Sequence, residues 1–150
     1  MLITNHVLSG ALIGTVTRRP VTAFALGVAS HFVLDVIPHW GDWGDDTSLF
    51  MRVAVRDGLT GLAVMGALTA VASPSARMAV LAGMAGAALP DLDKPSVVFF
   101  GFSPFPRAVD KFHSGIQRES RQRFPVEAVA GASFVATLSV LGLRARRAAR

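Results

Sequence analysis

The stretch ASHFVLDVIPHWGDWGDD, residues 29–46, decides how this chain is read, together with a shorter one, ALPDLDK at residues 88–94. In the first, His31, Asp35 and His39 recur at every fourth position of an apolar run. At about 100° per residue they fall within roughly 80° of arc on a helix. Side chains one turn apart can grip a single cation, as in other helical metal sites. The plainer reading is a His–Asp hydrogen bond that staples the helix. Pro38 cannot follow an undisturbed helical turn, so the helix is expected to end near Ile37. His39 is then left to turn into the site or away from it.

In the second stretch Asp91 and Asp93 flank Leu92 between Pro90 and Pro95. Two carboxylates at the C-terminal end of an apolar helix oppose its dipole. A divalent cation is the natural counterweight; a solvated turn is the alternative.

Outward from these strings the chain divides into five apolar segments, at 2–16, 21–38, 53–72, 77–89 and 126–143. Arg18-Arg19-Pro20, Pro38 with Gly41 and Gly44, Ser73-Pro74-Ser75 and Pro90 separate them. A helix needs about 20 residues to cross a bilayer core, so these are short spans. Segments 59–72 and 128–143 carry no charge and are the best of them. Residues 95–106, with Pro95, Pro104, Pro106 and four Phe, read as a loop dipping into the interface. Residues 107–123 read as an amphipathic surface helix on which Asp110, His113 and Gln117 share a face. Strand signals are weak. The expected fold is an all-α, compact polytopic membrane bundle of about five apolar helices plus that surface helix, forming a single domain over 1–150.

Composition agrees. The chain is 51% hydrophobic with 14 Gly and no Tyr, and its mean hydropathy is +0.47. Small residues let helices approach closely. Cysteine is absent, which excludes disulfides and thiolate ligands and leaves nitrogen and oxygen donors for any metal. The net charge of +5 rests almost wholly on Arg flanking apolar segments, which favours anionic lipid over nucleic acid. The N-terminus lacks the basic region of a signal peptide and is expected to belong to the mature protein.

Letting the segments alternate in direction sorts the polar residues. One end collects all four histidines and all ten acids; the other collects Arg18, Arg19, Arg77, Arg144, Arg146, Arg147 and Arg150. The Lys and Arg count of 7 against 8 does not orient the chain, but short loops and the basic tail point to a cytoplasmic C-terminus. Trp40 and Trp43 are expected at the opposite interface.

His6 lies in the apolar NHVLSG, and His113 in KFHSGIQR; both reach the acidic end. Each reads either as a ligand or as a hydrogen-bonded core histidine. Asp57 opens the third segment as a ligand, an orienter of a ligand or an acid at a helix N-terminus. Asp42, Asp45, Asp46, Glu119 and Glu127 read as a solvated rim. Arg118, Arg121 and Arg123 suit a phosphate-bearing substrate or lipid head groups, or form a solvated face. There is no Walker-type loop, nucleophile elbow or nucleotide fingerprint, so metal-activated water is the economical nucleophile.

The strings NHVLSG, SHFVLDVIPHWGDWG and ALPDLDK resemble the bacterial inner-membrane-associated metal-dependent hydrolases of the LexA-binding type. More distantly, they are similar to the all-helical zinc phospholipase C and P1-type nuclease proteins. Ser30, His31, Leu34 and Asp35 match that family's Ser-His-x-x-Leu-Asp helix, and Leu89, Pro90, Asp91 and Asp93 its acidic turn. Asn5 stands where the family has Thr before its early His, the histidine-rich stretch is reduced to His113, and the motif order differs.

Together these readings imply a metal-dependent hydrolase of the bacterial inner membrane acting on a phosphodiester or lipid head group. The expected metal ligands are His6, His31, Asp35, Asp91, Asp93 and His113, with His39 and Asp57 in reserve. One or two divalent ions are expected, zinc first and Mn2+ or Mg2+ next. Asp93 or Asp57 would take the proton from water, and Arg118 or Arg121 would neutralise the phosphoester. The other reading is a non-enzymatic membrane protein whose polar cluster is structural and whose surface binds a partner or lipid.

Overall fold

The computed structural model describes residues 1–41 and 48–148. Asp42, Trp43, Gly44, Asp45, Asp46 and Arg150, named above, lie outside the described residues. The order is α1 (Ile3–Thr17), α2 (Pro20–Val36), α3 (Ser48–Val71), α4 (Arg77–Ala88), a 3-10 turn (Leu89–Leu92), α5 (Asp93–Phe100), α6 (Arg107–Ile116), a second 3-10 turn (Arg121–Arg123) and α7 (Phe124–Ala148). Among the described residues no strand forms. One isolated parallel bridge joins His39 to Glu119.

Local chemistry sets the boundaries. Arg18 ends α1 in the left-handed region at φ 55°, and Pro20 opens α2 at a position where its missing N–H costs nothing. Val36 closes α2 ahead of Pro38, as the sequence implied. The 95–106 loop is corrected: Asp93–Phe100 is helical. Pro95 falls in the first turn, where no intrahelical N–H bond is lost. The 107–123 helix is shorter than expected, because α6 stops at Ile116 and residues 117–120 run extended beside 37–41.

Helix α4 is the hub and packs against α1, α2 and α3. Small residues make this possible. A Cβ on Gly83 would collide with the backbone carbonyl of Gly10, and a Cβ on Gly10 or Gly27 would collide with that of Gly83. The backbones of α1, α2 and α4 thus touch at one level, as in small-residue membrane packing. These contacts put α1 antiparallel to α2 and α4. Asn5 beside Glu127 and Gly131, and Asp57 beside Ile3, put α3 and α7 parallel to α1.

The apolar core is small: Val7, Ala11, Ala76, Val80 and Met84, edged by Val64, Met65 and Leu68 of α3 and Leu138 of α7. Most large apolar side chains face outward, including Leu59, Leu62 and Val71 on α3 and Val129, Val135 and Leu143 on α7. Met51–Val71 and Arg121–Ala145 are each long and apolar enough to cross a membrane, with mean hydropathies of 1.2 and 1.8. Only 6% of the apolar window of either helix is buried, so neither is the core helix of this fold. α1, α2 and α4 are shorter, at 15, 17 and 12 residues.

Candidate metal centre

Asp35 occupies the middle of the acidic end and is fully buried. Its periodicity with His31 on α2 brings Oδ2 within 3.1 Å of His31 Nε2. α6 lays His113 across the same carboxylate, with Nε2 at 3.0 Å from Oδ2. The two imidazoles meet directly, Nε2 to Nε2, at 3.0 Å. The 3-10 turn after α4 adds Asp91, whose Oδ1 lies 3.9 Å from His31 Nε2 and 3.7 Å from His113 Nε2. One ligand atom from each of these four residues falls within 4.8 Å of every other, so the cluster can hold a metal ion. Bonds of about 2.0 Å place tetrahedral ligand atoms roughly 3.3 Å apart, and the observed separations bracket that spacing.

The outer partners set which atoms face inward. His31 Nδ1 donates to the carbonyl of Ala87 at 2.8 Å, which leaves Nε2 with a lone pair. Asp93 Oδ2 lies 3.2 Å from His113 Nδ1 and fixes that ring in the same sense. This is the carboxylate– or carbonyl–histidine arrangement that orients metal ligands. Two lone pairs and a carboxylate oxygen therefore converge, and only a cation or a proton reconciles them. For His113, burial disfavours the charged ring, but hydrogen bonds to Asp35 and Asp93 outweigh it and raise the pKa to about 9.

Other groups surround the cluster. Lys94 Nζ donates to Asp91 Oδ1 at 2.7 Å. Burial opposes both charges of this pair. The mutual attraction prevails, holding Asp91 below the usual carboxylate range and Lys94 above the usual amine range. Gln117 Nε2 reaches Asp35 Oδ2 at 3.2 Å. On the far side of Asp35, the Met1 nitrogen and His6 Nε2 lie 2.6 and 3.1 Å from Oδ1. His6 stacks on His31 with ring centroids 3.9 Å apart.

No protein-family model, curated protein or solved structure matches the chain.

The structure thus gathers His31, Asp35, Asp91 and His113 in one cluster, sets His6 against the opposite oxygen of Asp35, and puts Asp93 behind His113. Other expected participants are engaged elsewhere. Asp57 accepts from the backbone N–H groups of Ile3 (2.6 Å) and Thr4 (3.4 Å), so it caps α1 from α3 rather than its own helix. His39 turns away: its Nδ1 pairs with the carbonyl of Ile37 at 2.7 Å, and its Nε2 lies 3.7 Å from Glu119. Arg118 is exposed, and its carbonyl accepts from His39 N at 3.1 Å. Asp110 accepts from Ser103 at 2.9 Å, while Gln117 from the same sequence face joins the cluster.

The rim is corrected in part. Glu127 is buried, not solvated. It accepts from Leu2 N at 3.1 Å, Asn5 Nδ2 at 2.7 Å and Trp40 N at 3.1 Å. It thereby ties α7 to the start of α1 and to the chain after α2. Its only sequence signal was an acid at the first turn of an apolar helix, which also describes an exposed cap. Gln117 was visible only as a polar neighbour of His113 on one helical face.

Proposed function

We propose that this chain is a metal-dependent hydrolase embedded in the bacterial inner membrane, acting on a phosphodiester or lipid head group. The observation that carries the reading is the meeting of His31 Nε2, His113 Nε2 and Asp35 Oδ2 at 3.0–3.1 Å, with both rings oriented from behind. A divalent ion there, zinc by the two imidazoles in the donor set, would supply Lewis acidity and a water of near-neutral pKa. His31, Asp35, His113 and Asp91 hold the ion. Asp93 acts as the orienter of His113. Lys94, half-buried beside Asp91, offers a positive charge to an anionic substrate. The resemblance of the His31 and Asp91 strings to the inner-membrane hydrolases supports the same class.

The exposed apolar faces of α3 and α7 support a bilayer environment, since water leaves such surface unstable. Shorter α1, α2 and α4 complete the proposed multi-pass bundle, and the arginine-rich tail is placed in the cytoplasm.

One observation favours a non-enzymatic alternative. Lys94 already neutralises Asp91 at 2.7 Å, as in a self-contained polar network. Purified protein loaded with zinc separates the two readings. Assayed on bis-p-nitrophenyl phosphate and on a fluorescent phospholipid in vesicles, it is expected to turn over at least one, and His31→Ala neither. Bound zinc without turnover of any ester supports the structural reading, and failure to retain zinc overturns the metal reading.

A further inference from the structure

Three residues of the metal cluster stand next in sequence to an apolar residue: His31 to Phe32, Asp91 to Pro90, and His113 to Phe112. Neighbours on a helix point about 100° apart. If one set lines the polar cluster, the other faces a neighbouring space. That space is a cleft of about 450 Å³ between α2, the Leu89–Leu92 turn and α6. Val28, Phe32, Pro90, Phe105, Val109 and Phe112 line it, and among the described residues no charged side chain does. Its volume lies within the range of about 300–1,000 Å³ usual for small-ligand sites.

The cleft and the cluster share a wall. The Phe32 ring stands edge-on to His31 at 5.5 Å, to His113 at 5.8 Å and to Phe112 at 5.4 Å. A ligand filling the cleft ends against the Phe32 ring, and the two imidazoles stand directly behind that ring. Charge is arranged to match. Lys94 keeps 26% of its side chain exposed beside Asp91. Arg107 and Lys111, one turn apart on α6, are exposed on the same short helix that supplies Val109 and Phe112.

We propose that this cleft holds the hydrocarbon tail of a single-chain amphiphile whose phosphate head lies at the His31–His113 cluster. The proposal deepens the hydrolase reading and rests on it for the role of the head, but tail binding can be measured alone. An apolar lining favours hydrocarbon, because burying methylenes there removes apolar surface from water. Lys94 beside Asp91, with the exposed Arg107 and Lys111 on α6, supplies the positive charge that a phosphate head requires.

The test uses full-length protein in lipid nanodiscs and a dodecyl phosphate carrying a diazirine at its tail end. Photolabelling is expected to concentrate on peptides containing Val28–Phe32 and Phe105–Phe112. Val109→Trp, which fills the cleft, should reduce that labelling at least tenfold with zinc content unchanged. Phe112→Ser, which leaves the space but spoils its lining, should reduce it about fivefold and covers the case in which the tryptophan variant does not fold. The corresponding dodecanol probe should label these peptides several-fold less. Even labelling along α3 and α7, indifference to both variants, or equal labelling by the alcohol would each overturn the proposal. Zinc loss from the wild type with labelling intact would instead sink the hydrolase reading alone.

Discussion

His31 and His113, 82 positions apart, bring their Nε2 atoms to 3.0 Å while each Nδ1 is tied outward, to the Ala87 carbonyl and to Asp93. Two acceptors this close are repulsive unless something positive lies among them. The buried carboxylate of Asp35 touches both and sharpens that demand.

Substitution of cluster members should remove the ion, and substitution of His39 should not. His31→Ala and Asp35→Ala are each expected to fall from about one bound zinc to near none, because a zinc ion is held by only three or four protein ligands and each variant removes one of them. His39→Ala, turned toward Ile37 and Glu119, should keep wild-type zinc. Elemental analysis after dialysis decides it, and equal metal in all four proteins refutes the ligand assignment.

Asp93→Asn should leave the cluster assembled but weaken it. An outer partner of a ligand histidine is worth about 10–100-fold in metal affinity. Competition with a chromogenic chelator is expected to show a loss in that range, short of the loss from His31→Ala.

Metal binding and pH should be linked through His113. In the ion-free protein its pKa stands raised from 6.5 to about 9. The stabilising contribution of the charged ring is therefore complete below about pH 6.5 and lost as pH rises through 9. An entering cation must displace that proton. Apparent zinc affinity should then rise about tenfold per pH unit between 6.5 and 8.5, with close to one proton released per ion. Calorimetry in buffers of different ionisation enthalpy measures the release, and a pH-independent affinity contradicts it.

Glu127→Ala should destabilise the fold without touching the cluster directly. It removes the side-chain acceptor of the Leu2 and Trp40 N–H groups and one of the two acceptors of the Asn5 amide. With about 1–3 kcal/mol for a stranded buried group, a loss of about 3 kcal/mol or more is expected. Thermal unfolding in detergent reads it, and a variant within about 0.5 kcal/mol, the scatter of surface substitutions, argues against the network.

The sequence alone determined the five apolar helices, the breaks between them and the pairing of His31 with Asp35. Apolar runs, prolines and a four-residue spacing act locally, through backbone geometry that no neighbour alters. Only the tertiary structure decided the partners. Asp91 and Asp93 are two positions apart, yet the 3-10 turn sends one to the cluster and the other behind His113. Asp57 lies within α3 and Glu127 in the first turn of α7, and both proved to serve the start of α1, because α3 and α7 run parallel to it. Pro95 looked like a breaker and sits harmlessly in a first turn. A buried carboxylate takes its role from whichever N–H groups and rings surround it, and those arrive from helices remote in the chain.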